Sequence, residues 1–274
     1  MTTRNLLAAA LISAFLCEPV CAKAPVPSGF ESGPGAVSSP RGEPLQKKSS
    51  KQSKESAEDY YQKGVIALRY GLTDEAIRYG NLGLALDPNH FNTLNLLGSA
   101  YYTKREYAKS AASYERAVQI SPETAEVHRN LGLACLETEE MDKAEAAFRK
   151  AVELSGDADA SFYLSRLLYN LGRHEEALEY ILKTIQKNSK SATAYNLKGV
   201  ILNQMGRYKE ASGSFQAGLV LDPEDVGLMI NLGISYINTG EPAKAKAVLQ
   251  KALPLIEEAA LKARVEEYLK SIDK

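Results

Sequence analysis

Side chains that carry chemistry are scarce in this sequence: its 274 residues hold three histidines and three cysteines. His90, His128 and His174 stand far apart, with no second histidine or cysteine at a metal-ligand spacing, so zinc layouts such as paired Cys and His find no match. His174-Glu175-Glu176 lacks the closing histidine of a zinc-protease motif and is read as a solvated turn. No glycine-rich phosphate loop is present either, and no catalytic residue, metal or cofactor is expected. Charge of one sign is also missing. The 33 Lys and Arg against 34 Asp and Glu give a formal net charge of -1, which excludes the concentrated basic excess of a nucleic-acid binder. The longest apolar run, Leu6 to Leu16, is 11 residues, whereas a membrane-crossing helix needs about 20.

What that short run does fit is an export signal. Arg4 supplies the positive start, Leu6 to Leu16 the apolar stretch, and Val20-Cys21-Ala22 the small residues before a cut after Ala22. Residues 1–22 are therefore expected to direct the protein to the periplasm or cell envelope. Of the alternatives, a lipid anchor on Cys17 or Cys21 is opposed by Leu16 and Val20, where a small residue is required ahead of a lipidated cysteine, and an uncleaved signal that spans the membrane is opposed by the shortness of the apolar run. With the signal removed Cys135 is the sole cysteine, so no intramolecular disulfide can form. Residues 23–56 are rich in Pro, Gly, Ser and Lys and too poor in apolar surface to offset the entropy of ordering; they read as a tether of formal charge +3. Its lysines serve solubility or, alternatively, attraction to anionic lipid or polysaccharide.

From residue 57 the sequence repeats. Small residues recur at Gly64, Gly98, Gly132, Ser165, Gly199 and Gly233, in steps of 34, 34, 33, 34 and 34. A second series follows at Ala76, Ser110, Ala144, Ala177, Ala211 and Ala245, and a third at Gly83, Ala117, Ala151, Thr184, Gly218 and Ala252. Between them apolar residues fall at helical spacing: Leu94, Leu97 and Tyr101 line one helix, and Tyr114, Ala117, Val118 and Ile120 the next. Each unit is thus a pair of amphipathic helices crossing where the side chains are smallest, and Asp87-Pro88, Ser121-Pro122 and Asp222-Pro223 mark unit ends. The units are 57–90, 91–124, 125–157, 158–191, 192–225 and 226–254. Pro254 breaks the pattern, and Leu261, Val265, Tyr268, Leu269 and Ile272 form one stripe of a capping helix within 255–274.

Leu94, Leu97-Gly98, Tyr101, Tyr114, Ala117 and Pro122, repeated as Leu131-Gly132, Ala144, Phe148 and Ala151 and as Leu232-Gly233, Tyr236, Ala245 and Ala252, resemble the tetratricopeptide repeat. The resemblance implies an all-α, right-handed α-solenoid of six helix-turn-helix units plus a C-terminal capping helix. It further implies that the second, fifth, ninth, twelfth and thirteenth positions of each first helix line a groove for a protein or peptide partner. On this chain those positions include Tyr61, Arg69, Asn95, Tyr102, Arg129, Phe162, Arg166, Tyr169, Asn196, Val200, Asn203, Ile230 and Ile234. Asn130 and Asn231 precede Leu-Gly, where members of the family that bind extended peptides place asparagines; amides there can pair with any peptide backbone. Ile230, Ile234 and Ile237 would form an exposed apolar strip unless the capping helix covers them. The residues of the family's clamp for chaperone carboxylates are absent, Leu133, Tyr163, Thr193 and Leu197 standing in their places. The expectation is a non-enzymatic scaffold in assembly of a cell-envelope complex; the alternatives are a self-assembling homo-oligomer or an accessory subunit of an envelope enzyme.

Overall fold

The computed structural model describes residues 55–272. The expected signal, Cys17 and Cys21, and the tether up to residue 54 lie outside the described residues. Among these residues the protein is all-α, with thirteen α-helices and one 3-10 turn. They form two compact units, one ending at Leu154 and one beginning at Ser155. The first holds α1 (Ala57–Arg69), α2 (Thr73–Leu86), α3 (Phe91–Thr103), α4 (Tyr107–Ile120), α5 (Ala125–Glu137) and all but the last residue of α6 (Met141–Ser155). The second holds α7 (Ala158–Asn170), α8 (His174–Lys187), α9 (Ala192–Gln204), α10 (Tyr208–Leu221), α11 (Val226–Asn238), α12 (Pro242–Ala252), the 3-10 turn Leu253–Leu255 and α13 (Ala259–Ile272).

Four of the six first helices start where a side chain satisfies a free amide. Ser56 Oγ accepts from Asp59 N at 3.1 Å while Asp59 Oδ2 accepts from Ser56 N at 2.8 Å, a reciprocal cap. Asp157, Ser191 and Asp225 cap α7, α9 and α11. The turn inside each pair depends on one left-handed residue: Gly71, Arg105, Glu139, Gly172, Gly206 and Gly240 all have positive φ, between 61° and 76°. Four of the six are glycine, which adopts this conformation without strain; for other residues it costs about 1–2 kcal/mol. Arg105→Gly and Glu139→Gly are therefore expected to raise unfolding free energy by about 0.5–1 kcal/mol each once glycine's greater unfolded-state entropy is subtracted. Urea melts of the two variants check this, and Gly206→Arg should move the other way.

All three series of small residues are buried. The helices of a pair cross so closely that a methyl group on Gly98 would stand 2.5 Å from the Tyr114 ring, one on Gly132 2.6 Å from Phe148, and one on Gly199 2.4 Å from Phe215. Where serine takes the place of the usual alanine or glycine, the same proximity becomes a hydrogen bond: Ser110 Oγ donates to Gly98 O at 2.8 Å, and Ser165 Oγ donates to Ala177 O at 2.7 Å. One pattern residue departs from expectation. Ile120, at the end of α4, is 40 % exposed, because the last turn of the helix has passed the crossing.

The last pair ends at Leu253–Leu255, and α13 begins at Ala259, later than residue 255. Its Leu261, Val265 and Tyr268 are buried against Met229, Ile230, Ile234, Leu249, Ala252 and Ile256, with Leu269 and Ile272 packed at the margin. The stripe of the capping helix thus meets the apolar row of α11.

Candidate partner-binding site

The first helices carry every residue of the expected groove, and burial divides those residues by unit. In the N-terminal unit Tyr61, Asn95 and Arg129 are half-buried and Arg69 is exposed. Tyr61 faces the His90 ring at 6.1 Å, and His90 Nε2 lies 3.3 Å from Glu58. Burial, then Glu58 and Glu126, push the Tyr61 hydroxyl above the usual phenol range. Both carboxylates stand at the second position of their helices, one of the positions that the resemblance assigns to the groove. Tyr102 is buried, its ring edge-on to Tyr107 at 5.2 Å.

Asn130 is 2 % exposed, and neither of its amide atoms has a hydrogen-bond partner within the protein. Asn95, half-buried on α3, likewise has a buried Oδ1 without a partner. Nearby, Ser99 Oγ and Tyr114 Oη bond each other at 2.9 Å, and burial pushes the Tyr114 hydroxyl far up.

The C-terminal unit places its expected residues differently. Phe162, Arg166, Tyr169 and Val200 are half-buried on α7 and α9. The Arg166 guanidinium sits over Tyr163 at 5.2 Å. The asparagines, by contrast, are engaged: Asn231 Nδ2 donates to Asn196 Oδ1 at 2.9 Å, and Ser235 Oγ donates to Asn203 Oδ1 at 3.0 Å, joining α9 to α11. Ile230 and Ile234 are 0 % and 3 % exposed. Their expected place in an open groove is corrected: α13 covers them, and they are core residues.

Two further sequence readings meet the structure here. Cys135, at the repeat position of Tyr101 and Tyr236, is buried, and its thiol is pushed up to about 11 by burial and then by Glu140, so it stays protonated and unreactive at neutral pH. His174 is not in a solvated turn. It opens α8, half-buried against Tyr169 at 5.5 Å between rings, with Nδ1 buried and unpartnered. The adjacent acids are tied into local ion pairs: Glu140 with Lys143, and Glu176 with Arg173. Among the described residues no three His, Cys, Asp or Glu side chains gather as a metal site. No described helix is long and apolar enough to cross a membrane.

Comparison with known proteins gives the repeats a family. Sequence models of the tetratricopeptide repeat match residues 95–159 and 202–265, and a model of anaphase-promoting complex subunit 3 matches 148–218. Superkiller complex protein 3 of Mus musculus is 25 % identical over 235 residues, covering 70 % of this chain. The chain spans only 15 % of that protein's length. YrrB, described as a TPR protein with an unusual peptide-binding site, superposes with a TM-score of 0.61 at 20 % identity, covering 69 % of this chain and 97 % of YrrB. Pseudomonas aeruginosa pilF superposes with a TM-score of 0.64 at 16 % identity, covering 77 % of this chain and 96 % of pilF.

Proposed function

Because the chain is a tetratricopeptide-repeat protein, we propose that it is a scaffold without catalysis of its own, which holds a segment of a partner polypeptide against the first helices of its repeats. The observation that carries this reading is the state of Tyr61, Asn95, Phe162, Tyr169 and Val200. These aromatic, amide and apolar side chains are half-buried on first helices, available to a ligand and already restrained, so that little rotamer entropy remains to be lost on binding. YrrB, of similar fold, is described as binding peptide, which agrees with the reading.

Export by residues 1–22 would place the scaffold in the periplasm or cell envelope, tethered or free, where assembly of an envelope complex is the proposed task. The mature N-terminus tests the export step: a chain isolated from cells that begins at Lys23 supports export with cleavage after Ala22, one that begins at a lipid-bearing Cys17 or Cys21 supports export with an anchor, and one that retains Met1 rejects cleavage.

Site-specific photocrosslinking in cells tests the face. A photoreactive residue at Tyr61 or Phe162 is expected to capture a partner, while one at Val220, 81 % exposed on α10, is not. Equal capture from both positions would reject the first-helix face as the binding surface. The rival reading, self-assembly by stacking, is disfavoured by α1. Its positions equivalent to Thr93, Leu96 and Leu97, all buried in the next repeat, are Asp59, Gln62 and Lys63, a polar face that offers a second copy little to bury.

A further inference from the structure

The first repeat departs from the other five at the turn between its helices. In each later repeat the residue before the second helix is charged and pairs with the residue three places on. Glu106 meets Lys109 at 2.6 Å, Glu140 meets Lys143 at 2.6 Å, Arg173 meets Glu176 at 2.7 Å, Arg207 meets Glu210 at 2.7 Å, and Glu241 meets Lys244. In the first repeat these two positions are Leu72, 50 % exposed, and Glu75, exposed and in no ion pair among the described residues. Tyr70 beside them is 77 % exposed, and Ile66, one turn back on α1, is 54 % exposed. Ile66 shares its repeat position with Ala100, Ala134, Ile201 and Ser235, all fully buried under a preceding repeat. The open edge of α1 is therefore polar over Asp59, Gln62 and Lys63 and ends in an apolar corner of Ile66, Tyr70 and Leu72 with a carboxylate at its side.

The chain that precedes the described residues arrives on this same edge. Glu55 is held by Lys63 and by the Tyr60 hydroxyl. From Ser56 to Tyr70, α1 spans about 21 Å at a rise of about 1.5 Å per residue. The ten residues between Leu45 and Glu55 reach up to about 33–36 Å, enough to bring Leu45 back to the corner. Residues 45–48 are Leu-Gln-Lys-Lys, the one place in 23–54 where a large apolar side chain stands within three residues of two lysines. Phe30 has Glu31 beside it and no lysine.

We propose that residues 45–48 of the tether fold back onto the first repeat, Leu45 against Ile66, Tyr70 and Leu72, and Lys47 and Lys48 against Glu75. The order of contacts fits the geometry. The end of α2 lies at the start of α1, where Gly83 meets Ala57 O, so α2 runs back along α1 and Glu75 is nearer to Glu55 than Leu72 is. A returning chain meets Glu75 with its lysines first and the corner with Leu45 next. Only these few residues are held. Tethered at Glu55 they act at an effective concentration of about 1 mM, so a contact with a free-peptide Kd of about 0.1 mM covers the corner about nine-tenths of the time. The first repeat thus gains from its own leading segment the cover that α13 gives the last.

A photoreactive residue in place of Leu45 in the full chain tests the contact, with the captured position read by mass spectrometry. Capture of Ile66, Tyr70 or Leu72 within one chain is expected. Leu72→Arg rebuilds with Glu75 the ion pair of the fourth and fifth repeats, so the fold is kept while the corner loses an apolar wall and its free carboxylate. Capture should then fall about fivefold or more, with helix content by circular dichroism unchanged. Lys47→Glu together with Lys48→Glu should lower capture in the same direction. Capture elsewhere on the chain, no capture, or capture at the corner that Leu72→Arg leaves undiminished overturns the proposal. A cross-linked dimer also overturns it, because the occupant is then a second copy, and capture unchanged by the two lysine substitutions overturns the pairing with Glu75.

Discussion

A Gly199→Ser chain is expected to lose about 2–3 kcal/mol of stability, from overpacking a site that has no room for a side chain. Any Cβ at this position meets the Phe215 ring at 2.4 Å, and that ring is fully buried. The C-terminal unit contains its own remedy. One repeat earlier, Ser165 occupies the position of Gly199, and the residue facing it is Ile181, not an aromatic. The serine there fits because a smaller side chain opposes it and because its hydroxyl reaches Ala177 O at 2.7 Å. Phe215→Ile alone should cost about 1–2 kcal/mol through the cavity it leaves. Combined with Gly199→Ser it should recover stability, since the new side chain fills the space and Ala211 O stands where Ala177 O accepts. A coupling of about 1 kcal/mol or more is expected in a double-mutant cycle by urea unfolding. Strict additivity would show that position and partner do not compensate, and that the unusual fourth repeat is tolerated for some other reason.

The same residues show which parts of this fold were legible in the sequence. Three series of small residues in one phase located the crossings, because a close approach restricts side-chain size and size is visible in residue identity. The stripe of α13 was legible for a similar reason, its apolar residues falling at helical spacing. The left-handed turn residues formed a fourth series, 71, 105, 139, 172, 206 and 240, that residue type hid. Arg105 and Glu139 tolerate the strained conformation, so their identity does not report it. The groove was the least legible part. Asn130 and Asn231 share a repeat position, and sequence assigns them the same role. Only the neighbour across the helix interface decides that Asn231 bonds Asn196 while Asn130 bonds nothing in the protein. Ile230 and Ile234 were ambiguous for a related reason, since an apolar residue on a first helix serves equally as ligand contact or as the seat of a cap.

Ending the chain after Glu258, so that α13 is lost, should produce the largest effect of all. Leu261, Val265 and Tyr268 are buried in the present fold and contribute about 1.5–3 kcal/mol each, so the C-terminal unit should lose on the order of 5 kcal/mol. The loss also uncovers Met229, Ile230 and Ile234 as a contiguous apolar face. Light scattering over a concentration series should then show self-association of the truncated chain and a monomer for the intact one, with dye binding to exposed apolar surface only in the former. Ile230→Asn and Ile234→Arg, which install the residues found at equivalent positions as Asn196 and Arg166, should return the truncated chain to a monomer without restoring its stability. A truncated chain that stays monomeric and melts as before would mean α13 is not the cap. In the intact chain each unit by itself keeps half-buried amide, aromatic or apolar side chains on its first helices, Tyr61 and Asn95 in one and Phe162, Tyr169 and Val200 in the other. Neither set is the continuous apolar strip that loss of α13 would expose.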